Sequence, residues 1–279
     1  MKNIMHITKM AAAIAILACA TAALCACGSK EQAPNANHPT VSADSLEGYV
    51  TPDAADTDEY GGVINTDFVF DNRTLASDVA AACDTAAPTM TAKIVGDINF
   101  VSGGVVKTPE AWNVWDCMPT DNGDGTVTIA LTYRYDLETY NARKAQMEER
   151  TKDICNAVNV TNDEKAKITL IHDWLRDNVT FTKDASVRYA DNAIIDGSGN
   201  ESAIASAFCW IAKKCGMSVA YTTGCNDAEL LAWNFVRTSD GVVAVDVPLD
   251  ILNNSTQWLM VSPEKMEEDH MTDVVRWCS

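Results

Sequence analysis

Positive charge is scarce in this chain. It carries 21 Lys and Arg against 39 Asp and Glu, a formal net charge of -18 over 279 residues. That deficit excludes nucleic acid as a partner and argues against anionic lipid surfaces, because both would repel the protein. Aromatic residues are few as well, at 7%. Trp112, Trp115, Trp233, Trp258 and Trp277 are therefore expected as core and strand residues, a sugar- or protein-binding face being the alternative. There is no internal repeat. One acidic turn, "DNGDG" at 121–125, hints at a calcium loop, but the remaining ligand spacing is missing and a hairpin turn is the better reading. No metal and no cofactor are expected.

What is present begins with an address. Lys2 and Lys9 precede an apolar run from Met10 to Leu24, which reads as a secretory leader too short to span as a mature helix. The leader, residues 1–26, ends in "LCAC", and small residues ahead of a cysteine resemble a bacterial lipobox. That resemblance implies acylation of Cys27 and an extracytoplasmic protein lipid-anchored to the cell membrane. Residues 27–62 are polar and proline-bearing with no apolar period, as in a flexible tether. Without the two leader lysines the mature charge falls to about -20. Cys83, Cys117, Cys155, Cys209, Cys215, Cys225 and Cys278 follow Cys27, an odd number, so in an oxidising compartment at least one is left over. Cys83 with Cys117 and Cys215 with Cys225 are plausible bridges by proximity, although spacing does not fix the connectivity.

Hydrophobic periodicity divides the rest. Residues 63–135 read as a small α+β module, with a helix over 74–87 capped by Asn72 or Thr74 and strands in "TMTAKIV", "INFVSG" and "TVTIALTYRY". From Asp136 two long helices follow, the second over 163–179 with Thr161 and Asn162 as caps. Its Ile168, Ile171, Leu175 and Val179 form one buried stripe. His172, beside that stripe, is expected to be a packing or capping residue. "GSGNESAIASAFCWIAKKCGM", 197–217, is a turn opening into a helix apolar on most sides. The period then changes to two in "MSVAYTTGC", "LAWNFVRT" and "VVAVDVPL", the last two joined by a tight turn at 239–241. A buried helix followed by an antiparallel sheet is an α+β layout of papain-like type.

Five pieces within 145–272 carry a more specific likeness: "EKAKITLIHDWLRDNVTF", "YADNAIIDGSGNESAIASAFCWIAKKCGM", "LAWNFV", "VDVPLD" and "WLMVSPEKMEEDH". In order and spacing they resemble the transglutaminase-like superfamily, in its bacterial extracellular branch. The resemblance implies a transglutaminase-like domain over 136–279. It also implies three catalytic positions: a cysteine opening the central helix, a histidine starting the next strand and an aspartate on the strand after. Here they fall on Glu201, Leu231 and Asp246. Two of three are replaced. The expected cleft is Asn200, Glu201, Leu231, Trp233 and Asp246, with no catalytic residue in it.

Replacement by another thiol is geometrically poor. Cys209 is about 80° round the helix and roughly 12 Å further along than Glu201, and Cys215 is on the order of 21 Å away at the end where the dipole disfavours a thiolate. The expected protein is a catalytically inactive, membrane-anchored module that binds a peptide, a glycan or a protein of the cell envelope. Two enzyme readings stand beside it: a cysteine hydrolase or acyltransferase using a displaced thiol with His172 or His270, and a carboxylate-pair hydrolase using Glu201 and Asp246. A third reading makes the module an envelope scaffold.

Overall fold

The computed structural model describes residues 72–93, 98, 101–106, 108–226 and 229–278. The leader, Cys27 and the tether lie outside them, as do the side chains of Trp277 and Cys278.

The first elements are helix α1 (Asn72–Thr85), strand β1 (Thr89–Lys93), the short helix α2 (Val101–Val106), a 3-10 turn over Pro109–Asn113, and strands β2 (Val114–Asp121) and β3 (Thr126–Tyr133). The strands form an antiparallel sheet ordered β1-β3-β2. "DNGDG" is the β2–β3 hairpin turn: Gly123 N donates to Asp121 Oδ1, Thr126 N donates to Asp124 Oδ1, and Gly123 and Gly125 take positive φ. One expectation is corrected here. "INFVSG" is not a strand; Val101 begins α2, whose Ser102 Oγ reaches the Cys117 carbonyl at 2.9 Å. Its β-branched residues are buried by helical packing instead, with Val101 and Val105 inaccessible, an instance of tertiary context overriding local propensity.

Helices α3 (Leu137–Val160) and α4 (Glu164–Asn178) follow as anticipated. The cap of α4 is Asp163, whose carboxylate accepts from Lys165 N and Ala166 N, so Thr161 and Asn162 stand outside the helix. Ile168, Ile171 and Leu175 are completely buried and Val179 nearly so. The short parallel pair β4 (Thr180–Phe181) and β5 (Ser198–Gly199), with a π-helical turn at Asn192–Asp196 between them, leads into helix α5 (Glu201–Lys214).

Two glycines fix that entry. Gly197 has φ 68°, a left-handed conformation costly for most residues. A Cβ on Gly199 would lie 2.7 Å from the Ala203 Cβ, so only glycine lets β5 approach the helix start. Asn200 then caps α5 by accepting from Ala203 N at 3.1 Å. Ala203, Ala205, Ala207 and Ala212 are as fully buried as Ile204, Phe208 and Ile211. Small and large faces together let the helix be surrounded.

The second sheet is antiparallel and ordered β10-β6-β7-β8-β9, from β6 (Val219–Cys225), β7 (Leu230–Thr238), β8 (Gly241–Val245), β9 (Leu259–Val261) and β10 (Met271–Cys278). Alternation along β7 divides two layers. Ala232 and Val236 join the core that holds α5, and Asn234 donates to the Ala205 carbonyl of that helix. Leu231, Trp233 and Phe235 instead cluster with Trp258 and Met266. "VVAVDVPL" is only partly a strand: after Val245 the chain turns into helix α6 (Val247–Asn253), with Asp246 as cap and Pro248 in its first turn. Helix α7 (Pro263–Glu267) carries the chain on to β10. The described residues fall within one compact unit. A helix-centred core against an antiparallel sheet gives the α+β, papain-like architecture.

Candidate functional site

Glu201 occupies the first position of α5, where an acid complements the positive helix end. It is half-buried, and burial, followed by the negative charges of Glu229 and Asp246, pushes its carboxyl above the ordinary value. Lys183, ion-paired with Glu229, partly offsets this. Asn200, beside it, has its side-chain carbonyl committed to the helix cap. Leu231 and Trp233 lie together in the second apolar cluster.

Asp246 is committed too. Its Oδ1 accepts from Leu249 N at 2.7 Å, its Oδ2 lies 2.9 Å from His270 Nε2, and the side chain is 1% exposed. Burial is the largest effect on it and raises its pKa, against the lowering by the His270 and Leu249 bonds. The imidazole of His270 stands between the Trp233 and Trp258 rings, each centroid 4.9 Å away and edge-on. Its Nδ1 faces Asp269 Oδ2 at 3.3 Å without hydrogen-bond geometry. The partner that reaches Asp246 therefore comes from the chain before β10, not from position 231 on β7.

A second pair lies one helical turn on. His172 Nε2 is 3.2 Å from Asp250 Oδ2 and His172 Nδ1 is 3.0 Å from Asp173 Oδ1, with His172 fully buried. Asp250 also accepts from Ser255 Oγ at 2.5 Å and from Trp258 N at 3.1 Å. Burial pushes Asp250 up, but the bonds from His172, Ser255 and Trp258 outweigh it and hold the carboxyl below its ordinary value. His172 was expected as a packing or capping residue; it is the buried partner of an aspartate. Asp250 was not anticipated, because reading 242–249 as one strand hides a helix on which positions 246 and 250 share a face.

The thiols are elsewhere. Cys209 is 1% exposed on α5, and its sulfur accepts from Asn234 Nδ2 at 3.2 Å. The two anticipated bridges are not formed: Cys83 points to the Glu110 carbonyl and Cys117 to the Ser102 carbonyl. Cys225 ends a seven-residue strand that runs away from Cys215, placing it roughly 20 Å along. Of the five tryptophans, Trp115 is exposed, whereas Trp112, Trp233 and Trp258 are buried. A paired aromatic face is thus not what these four form. Among the described residues there is no group of three or more His, Cys, Asp or Glu able to hold a metal ion, and no helix long and apolar enough to cross a membrane.

No curated protein matches the chain. Among solved structures, similarity is found to a candidate cysteine protease of Cytophaga hutchinsonii (11% identity, 57% of this chain and 65% of that one, TM-score 0.36), a TGase (9% identity, 48% and 44%, 0.36) and a candidate protease of Parabacteroides distasonis (11% identity, 46% and 35%, 0.27). The chain thus spans less than two thirds of the length of each. Residues 152–263 match the core of the transglutaminase-like superfamily, a segment running from the end of α3 to the start of α7 and containing Glu201, Leu231 and Asp246. That segment is a transglutaminase-like domain.

Proposed function

We propose that this protein is a noncatalytic transglutaminase-like module, held at the outer face of a bacterial membrane by a lipid on Cys27, which uses its framework to bind a peptide, a glycan or an envelope protein. The observation that carries this reading is the wiring of the two imidazoles. Three of their four ring nitrogens are hydrogen-bonded to carboxylate oxygens at 2.9–3.2 Å, the fourth, His270 Nδ1, is buried without a hydrogen-bond partner, and both rings are fully buried. A nucleophilic thiol needs a proton acceptor within hydrogen-bond reach, and these acceptors are turned to aspartates.

The carboxylate-pair alternative has less support. A glycosidase pair must present both carboxyls to the substrate, whereas both oxygens of Asp246 are bonded and its side chain is buried. Loss of triad members costs about 10³ to 10⁶ in rate, so turnover near background is expected. Amidase and amine-transfer assays with glutaminyl peptides, alongside iodoacetamide labelling, test this. Turnover that disappears in Cys209→Ser would refute the noncatalytic reading. Intact mass of the membrane-extracted protein tests the anchor: a diacylglyceryl-sized increment on a chain beginning at Cys27 is expected.

A further inference from the structure

Trp115, on β2, is 48% exposed, and the guanidinium of Arg188 stands over its ring, 5.6 Å from the centroid. Arg188 also lies over the Tyr189 ring at 5.1 Å and donates to the Tyr189 hydroxyl at 3.0 Å. Tyr189 is itself held, because Arg134 stacks on its ring at 3.6 Å and is fixed in turn by Asp191 at 2.7 Å. The Arg188 fork is thereby oriented before any ligand arrives, which spares a partner the cost of ordering it. The Val187 carbonyl accepts from Asn200 N at 3.1 Å, so this loop borders the start of α5.

Charge singles Arg188 out. Arg134 and Arg143 share Asp191, and Arg176 pairs with Asp173. Among the described residues Arg188 pairs with no carboxylate, its polar partner being the Tyr189 hydroxyl, although the chain holds 39 acidic residues against 21 basic ones. A guanidinium presents its N–H donors as a planar fork that fits a carboxylate, and the exposed indole adds a flat apolar wall beside it. An extended peptide is poorly served at this wall. β2 is an edge strand, but Cys117 N donates to Asp116 Oδ1 and the Cys117 carbonyl accepts from Ser102 Oγ, while Pro119 has no N–H to give. The edge beside Trp115 is therefore closed to strand addition.

We propose that Trp115 and Arg188 form a binding site for a sugar acid, with the C–H face of a pyranose ring packed on the indole and its carboxylate on the free edge of the guanidinium. A flat ring with an apolar face and one anionic substituent meets both groups at once. The negative charge of the whole chain disfavours a polyanion, so the fit is to an isolated carboxylate. The inference rests on the binding half of the reading above and names its ligand class. It also gives the first module a part in recognition, since Trp115 precedes the segment 152–263 that matches the family.

The test is isothermal titration of the full chain with singly carboxylated disaccharides whose acidic residue is glucuronate, galacturonate or N-acetylmuramate. Each is paired with its methyl ester, and tetra-alanine supplies a carboxylate that is not on a ring. At least one acidic disaccharide should bind, with its ester about tenfold or more weaker because hydrogen bonds to a charged group are lost. Arg188→Lys, which keeps the charge but not the fork, and Trp115→Ala should each weaken binding by about tenfold with the melting temperature unchanged. Binding of no acidic disaccharide, equal binding of acid and ester, indifference to both substitutions, or binding of tetra-alanine alone would overturn the proposal. Glutaminyl-peptide turnover would sink the noncatalytic reading and leave this titration standing, so the two fail separately.

Discussion

Helix α6 offers two aspartates one turn apart, both fully buried and both facing a buried histidine, yet shifted in opposite directions. Asp246 meets two donors, Leu249 N and His270 Nε2. Asp250 meets three, His172 Nε2, Ser255 Oγ and Trp258 N. Burial penalises the ionised form of each. At Asp250 the donors win and the carboxyl is held below its ordinary 3.8; at Asp246 burial and the nearby charge of Asp250 win and it is held above. Sharing a helix and a partner type does not make two buried carboxylates equivalent; the balance of burial, donors and neighbouring charge decides. Trp258 joins the pair, because its N–H serves Asp250 while its carbonyl accepts from Asp246 N at 3.1 Å.

The difference predicts unequal costs. Asp250→Ala strands His172, Ser255 and the Trp258 amide without an acceptor, and breaking a buried pair in this way costs about 3–5 kcal/mol. Asp246→Ala removes a helix cap and one imidazole partner, about 2–3 kcal/mol from the cap and the buried bond together. Urea unfolding of the two variants measures both. Equal losses, or a greater loss at Asp246, would mean that donor count does not rank the two sites.

A smaller effect separates them by pH. Asp250 has a lowered folded pKa, so its stabilisation is complete above 3.8 and is lost as pH falls through 3.8 toward the folded value. Asp246 has a raised folded pKa, so its contribution is complete below 3.8 and is lost as pH rises through the folded value. Asp250→Asn should therefore flatten the stability curve on the acid side of 3.8, and Asp246→Asn on the neutral side. Denaturant midpoints taken from pH 3 to 7 would show it; a shared flattened region would remove the distinction.

Much of this arrangement was legible in the sequence, and the illegible part has a physical cause. The stripes of α4 and α5, the hairpin at 121–125 and the alternation of β6 and β7 are repeated local signals, and they place Glu201 and Leu231 correctly on their elements. Asp246 was expected on a strand. It is instead a helix cap, since "VDVPLD" has the apolar content of a strand while Asp246 and Pro248 start a helix. The His172–Asp250 and His270–Asp246 contacts span 78 and 24 residues. No local pattern encodes such contacts.

The finest test of the comparison leaves both aspartates in place. Glu201 and Asp246 repel one another, and that repulsion helps to raise Glu201; the interaction is mutual, so neutralising Glu201 should ease the ionisation of Asp246. Asp250, whose shift is set by burial, His172, Ser255 and Trp258, should be indifferent. Glu201→Gln also gives up an acid at a helix N-terminus, a loss of about 0.3–1 kcal/mol, partly offset by relief of the burial penalty on a half-exposed charge. The net change at pH 7 should be within about 0.5 kcal/mol. Its signature is directional: the midpoint of the Asp246 carboxyl, followed by NMR, falls, while that of Asp250 stays fixed. Movement of both midpoints would mean that the two pairs act as one coupled network, and the separate accounting of their donors would fail.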